Sequence, residues 1–237
     1  MPSLPPATKA LILACIAVFC LQLLPFLPMN GLFALWPLAS GHFFPWQVVS
    51  YAFLHADITH LSFNMLGLWM FGAELERLWG PRRFWQLLAA SVVTAAIAQL
   101  VVTQLMGSFN PTVGASGALY GLLLAYAMVF PRRQFDLVGF LPMLLMMIPL
   151  PGFSMVGMVL FVLMLTNRQA VPIPQIPIPA PTMVAIFGAL ELFFGVAFSR
   201  SGVAHFAHLG GMLGAWLLIR SWRGPGRGPR SGPRRVH

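Results

Sequence analysis

The sequence predicts an all-α protein that crosses a membrane several times, and three observations predict it. Hydrophobic residues make up 58% of the 237 residues and charged residues only 8%, with a mean hydropathy of +0.81. A soluble domain carries about a quarter charged residues, so the polar surface that water requires is missing. Several apolar runs approach the ~20 residues that cross a bilayer core. Finally, the Lys and Arg residues gather in alternate gaps between those runs, as cytoplasmic loops do.

Apolar runs between breakers give spans near 10–27, 60–79, 84–106, 116–130, 182–199 and 203–219. The first, preceded by Lys9, is long for a signal-peptide core and lacks a small-residue cleavage site, so it reads as a span. Its two cysteines, Cys15 and Cys20, are five residues apart. They share no helix face, form no disulfide framework or metal site, and read as buried thiols. With the N-terminus inside and the spans alternating, only Arg200 of the 14 basic residues falls outside. Six spans with both termini cytoplasmic follow.

Leu137 to Thr166 would score as a seventh span, but a single crossing there would invert everything after it. "IPLPG" (148–152) interrupts the run and arginines flank both ends (Arg132, Arg133 and Arg168). Prolines 142, 149 and 151 disfavour one straight helix. A re-entrant or interfacial hairpin returning to the cytoplasmic side is expected. The following "VPIPQIPIPAP" reads as an extended polyproline II linker. The net charge of +9 owes much to the tail "RGPGRGPRSGPRRVH" (223–237). With no aromatic residues among its arginines, this tail reads as a disordered cytoplasmic segment near anionic lipid and not as a nucleic-acid binder.

Polar residues inside spans are costly and usually functional. Counting up from the cytoplasmic end of each span at ~1.5 Å per residue puts Ser116 about 22 Å up, Asn64 about 20 Å and His208 about 18 Å, with His60 one turn above Asn64. All lie in one layer toward the outer leaflet. The fourth span, at 15 residues, is too short to cross, so its helix starts inside the bilayer and "GSFNPTVGA" dips to meet it, ending at Gly114 and Ala115. Irregular backbone at that depth must lie inside protein or against water, which implies an outward-opening pit with Ser116 near its floor.

A nucleophilic serine needs a base and an oxyanion site. His208 is the natural base. His60 and Asn64, at i and i+4 on one face, offer donors beside the Ser116 N–H at a helix start. Glycines 117, 121, 210, 211 and 214 let the fourth and sixth spans approach closely. No carboxylate is expected as a third catalytic member. Glu74, Glu76 and Asp136 are cytoplasmic by the count, Asp57 is outside, and Glu191, mid-span in the fifth helix, reads as a structural partner. The expected machinery is therefore a Ser–His dyad. On its own, a serine among Gly and Ala is usually a packing device, and the string is not a G-x-S-x-G elbow because Ala118 replaces the second glycine. A metal site from His60, His205 and His208 is disfavoured by the absence of H-E-x-x-H and of a nearby carboxylate.

"HADITHLSFNMLGLWMFGAELERLWG", "GASGALYG" and "AHFAHLGG", in this order and on separate helices, resemble the signatures of the rhomboid family of intramembrane serine proteases. The resemblance covers roughly residues 44–222, apart from 137–175. It implies a six-helix rhomboid-like transmembrane bundle (1–222) with a short central fourth helix, the apolar hairpin being an added insertion. It further implies cleavage of transmembrane protein substrates near the outer membrane boundary, without cofactor or metal, by a multi-pass protein of a bacterial inner membrane. By position, Ser116 matches the family's nucleophile, His208 (not His205) its base, His60 and Asn64 its oxyanion donors, Tyr120 a residue stacked on the imidazole, and His55 a structural histidine of the outer loop. The alternative the resemblance leaves is a catalytically silent relative that binds membrane proteins, against which stands the presence of both Ser116 and His208. The outer loop "FFPWQVVSYAF" lacks the Trp-Arg pair of some members, and Ala215, beside Gly214, stands where a later glycine is expected.

Overall fold

The computed structural model describes residues 3–146, 148, 150, 152–167, 173–198 and 204–223. Helix α1 (Pro6–Gln22) begins on Pro6, whose missing N–H is no loss in a first turn. The N–H groups of Ala7 and Thr8 donate to the buried Glu76 carboxylate at 2.9 and 2.7 Å, and Thr8 Oγ1 adds a bond of 2.7 Å. A carboxylate at a helix N-terminus satisfies orphan donors and meets the positive end of the helix dipole. This cap explains why α1 starts four residues before the expected position 10. Its end at Gln22 precedes Pro25, short of the expected 27.

A loop carrying the short helices α2 (Met29–Phe33) and α3 (Gln47–Ser50) follows. It is organised around the buried amide of Gln47, which accepts from Trp36 N and Phe44 N and donates to the carbonyls of Leu32 and His42. Helix α4 (Ile58–Gly67) passes through a π-helical turn, Leu68–Gly72, into α5 (Ala73–Met106). The run breaks at Gly80 (φ 76°, ψ 166°) just before Pro81, which separates the expected second and third spans.

Helix α6 (Ser116–Val129) sits at the centre, packed against α5 and α10 (His205–Arg223), with most of its residues buried. The strand preceding it is satisfied by the loop: Leu35 and Thr112 exchange both backbone bonds at 2.9 and 3.0 Å, and Gly114 N donates to Tyr51 O at 2.9 Å. The dipping segment thus meets the requirement that irregular backbone find partners.

After α6, strand β1 (Gln134–Asp136) pairs antiparallel with β2 (Pro177–Pro179), Phe135 opposite Ile178. Ala180 N to Arg133 O (2.8 Å) and Leu137 N to Ile176 O (2.9 Å) extend the clamp. Between the two strands lie α7 (Leu141–Met146) and α8 (Phe153–Thr166), packed on each other with Gly157 against Met146 and the Pro142 carbonyl. The described residues of this segment form a helical hairpin with its two ends tied together. Residues 177–179 of the proline-rich stretch are therefore not a free polyproline II linker. They form an edge strand, where a proline's missing donor is tolerated. Helix α9 (Ala180–Ala197) then leads toward α10. The tail after Arg223, Arg168, Arg200, Pro149, Pro151 and the first two residues of the proline-rich stretch lie outside the described residues.

Ion pairs and aromatic rings mark one end of the bundle. Tyr126 O–H donates to Glu74 (2.8 Å), Arg133 lies 3.8 Å from Glu74, Trp79 packs edge-on against Trp222, and Arg83 sits over the Trp222 ring at 5.4 Å. Large apolar side chains cover the helix exteriors, among them Leu13, Trp69, Val101, Val159, Phe193 and Leu213. Among the described residues, Ile58–Met106 and Ala180–Ala197 are long and apolar enough to cross a membrane; Pro6–Gln22, Ser116–Val129 and Met155–Met164 are shorter apolar helices. Cys15 is buried but Cys20 is exposed, contrary to expectation. A helix that is apolar all round can face lipid as readily as core, so hydropathy could not separate the two cysteines.

Candidate active site

Asp57 caps α4, its carboxylate accepting from His60 N at 2.8 Å, and this fixes where the first turn presents His60. One turn on, Asn64 is 2% exposed, and its Nδ2 donates to the His60 carbonyl at 2.9 Å, leaving the second amide hydrogen free to point elsewhere. The His60 Nδ1 faces Ala56 N–H at 3.4 Å, so Nε2 is the nitrogen left to carry the proton. That Nε2 lies against Gly114, where a Cβ would come within 2.7 Å of it and 3.7 Å of Ser116 Oγ. Gly114 has φ 120°, which only glycine adopts readily, so the position demands glycine both for conformation and for room.

Behind His60, the ring of His55 packs edge-on at 5.2 Å. Its backbone is tied to the side-chain amide of Gln22 at the end of α1 by bonds of 3.0 and 3.1 Å. Burial, aided by the neighbouring His60, pushes the His55 imidazole down to about 4, so it is neutral.

Ser116 is the first residue of α6, where helix geometry supplies no intrahelical acceptor for its N–H. Its Oγ is 2.7 Å from His208 Nε2 on α10. The approach of the two helices rests on Gly211, where a Cβ would fall 1.9 Å from the Gly117 carbonyl oxygen. Gly121 also meets Gly211, together with Ser91 of α5. Gly210 and Gly214 have a different partner from the one expected. They press on Ala90, Thr94 and Ala98 of α5 and do not face the α6 side. A string of small residues shows that helices touch, but not which neighbour each residue touches.

The ring of Tyr120, one turn after Ser116, stacks on His208 with centroids 4.3 Å apart and planes 5° off parallel. Its hydroxyl donates to Glu191 Oε1 on α9. Glu191, which the sequence sets apart from the site as a structural partner, lies against it. Its carboxylate is fully buried and lies in the same layer as the serine and both histidines. Oε2 is 2.6 Å from His205 Nδ1, and Oε1 is 2.8 Å from His208 Nδ1, within ion-pair reach though off the line of a straight hydrogen bond. One signal in the sequence could have found it: 12 residues from Pro179 at ~1.5 Å each puts Glu191 about 18 Å up, level with His208. The ligand atoms of Glu191, His205 and His208 also lie within 4.8 Å of one another, a set that could close on a divalent ion. The expectation of no carboxylate near the histidines therefore fails.

These elements define a helical protein rich in exposed apolar surface, with a serine and a histidine joined across two closely packed helices. Residues 42–161, half of the chain, match the Rhomboid domain family, and the chain belongs to that family. The matched segment holds His60, Asn64 and Ser116 and ends before His208. The chain is 32% identical over 108 residues to the mitochondrial Rhomboid protein 1 of Saccharomyces cerevisiae, covering 45% of this chain and 29% of that one. It is 37% identical over 92 residues to the Rhomboid protease GluP of Bacillus subtilis (38% and 17%) and 35% over 120 residues to the Rhomboid protease GlpG of Klebsiella pneumoniae (50% and 41%). The chain thus spans less than half the length of these relatives. Family membership makes it an integral membrane protein.

Proposed function

We propose that this protein is an intramembrane serine endopeptidase with six crossings and cytoplasmic termini, acting on transmembrane protein substrates near the outer membrane boundary. The 2.7 Å contact between Ser116 Oγ and His208 Nε2 carries the reading. On attack, the Ser116 O–H bond breaks, the proton passes to His208 Nε2, and Oγ bonds to the scissile carbonyl carbon. The carbonyl electrons move onto oxygen, to which the Ser116 N–H, Asn64 Nδ2 and His60 Nε2 would donate. His208 then gives its proton to the leaving amine. A water molecule, deprotonated by the same nitrogen, bonds to the acyl carbon; the Oγ–carbon bond then breaks and His208 returns the proton to Ser116 Oγ. Ser116 remains partly exposed, which gives water a way to the acyl-enzyme. The basic end of the bundle, with Arg83 and Arg220 over Trp222 and Trp216, suits a cytoplasmic interface.

Purified protein incubated with a model transmembrane substrate tests the reading. Wild type is expected to cleave, in chelator as well as without it, and Ser116→Ala to be inert. Equal cleavage by both would contradict the assignment, and loss of wild-type cleavage in chelator would transfer it to a metal held by Glu191, His205 and His208.

A further inference from the structure

A buried carboxylate is expensive unless every lone pair is engaged, and a serine–histidine pair does not by itself require one. Glu191 is 0% exposed in the middle of an apolar helix, yet three side chains converge on it. Tyr120 O–H and His208 Nδ1 share Oε1, while His205 Nδ1 takes Oε2. Two of these partners serve the third. Tyr120 also stacks flat on the His208 ring, and His205, one turn before His208 on α10, stands with its ring perpendicular to it at 6.5 Å. The cluster is built around the far side of the imidazole whose near side meets Ser116.

We propose that Glu191 is a positioning residue for the hydrolysis, making the site a Ser116–His208–Glu191 triad in which His205 and Tyr120 hold the carboxylate in place. This rests on the protease reading above. If His208 Nε2 is to accept the Ser116 proton, the ring hydrogen must reside on Nδ1, and Nδ1 is the nitrogen that faces Glu191. When the proton moves from Ser116 Oγ to Nε2, the ring becomes a cation with a carboxylate 2.8 Å from its other nitrogen. Glu191 keeps its own charge throughout: it fixes the tautomer and stabilises the imidazolium until the proton passes to the amine.

A purely structural Glu191 would hold α9 to α10 and leave the chemistry alone, so the test separates kcat from KM. Glu191→Gln preserves shape and the Tyr120 bond but removes the charge. The expectation is KM within about threefold of wild type, a melting temperature lowered because the Gln amide mismatches one of the converging groups, and kcat per folded molecule lower by about a hundredfold or more. Glu191→Asp, which restores the charge, should recover part of that loss. If Ser116→Ala is inert while Glu191→Gln keeps wild-type kcat, this proposal alone is overturned. If Ser116→Ala cleaves like wild type, the protease reading fails and this one with it. Wild-type protein carrying 15N-histidine supplies a readout that needs no Glu191 variant. His208 should show its hydrogen on Nδ1, shifted strongly downfield, and a ring protonated on Nε2 with Nδ1 bare would overturn the proposal.

Discussion

The helices around Ser116 and the hairpin of α7 and α8 are both apolar in sequence, yet they are held in opposite ways. Around the serine, backbones approach until Gly211 has no room for a methyl group beside Gly117, and buried polar groups find partners one by one. The hairpin meets the rest through Met143 and Leu144 against the core and Phe161 on Phe63, and is fixed at its base by the short β1–β2 clamp. Hydropathy alone places both in the membrane. Small residues and polar groups decide which of them becomes a site, because in lipid association is driven by close packing and hydrogen bonds.

Substitutions can break this contrast, and the largest effect should come from the base. His208→Asn is expected to lower cleavage by about a thousandfold or more with little loss of stability, checked by kcat and thermal unfolding side by side. Gly211→Val attacks the packing that brings the base to the serine. It should cost about 3 kcal/mol or more in detergent unfolding and abolish activity, since its Cβ would lie 1.9 Å from backbone oxygen. Glu76→Gln weakens the cap of α1 and leaves a buried donor mismatched, for an expected loss of about 2 kcal/mol, read from the melting temperature.

A smaller, pH-dependent effect is expected at His55. Its imidazole is pushed down to about 4 by burial, whereas the unfolded chain titrates near 6.5. Between those values the unfolded state binds the extra proton, so this contribution is complete above about 6.5 and is lost as pH falls through the window. From pH 7 to 5 wild type should lose on the order of 2 kcal/mol that His55→Gln does not lose. The least effect should follow deletion of 138–175 with Leu137 joined to Ile176, two residues the clamp already places side by side. Activity within about tenfold is expected because the tied ends stay in place, with a melting temperature lowered by the loss of the buried Val138 and Phe140.

What is legible in the sequence follows the same division. Depth along a span is readable by counting residues, and the count alone brings Ser116, His208, His60 and Asn64 to one level. Rotation about a span is not readable where a helix is apolar all round, which is why the exposed Cys20 reads as a core thiol. For the same reason the sequence does not tell that Gly210 and Gly214 face α5 and not α6. Glu191 falls between the two cases. Its depth matches that of His208, but only the packing of α9 on α10 shows that its carboxylate faces both histidines. The Gln47 hub of the outer loop depends on four backbone partners scattered over 15 residues of sequence separation or less, a pattern with no periodicity to detect.

The central claim is that Ser116 is a nucleophile because His208 activates it. Treating the membrane-embedded protein with a serine-reactive fluorophosphonate and mapping the adduct by mass spectrometry tests this most directly. Wild type should carry a single adduct on Ser116, absent from Ser116→Ala and reduced to background in His208→Asn. Labelling of Ser116 that persists undiminished in His208→Asn, or wild type that takes up no label, would contradict the claim.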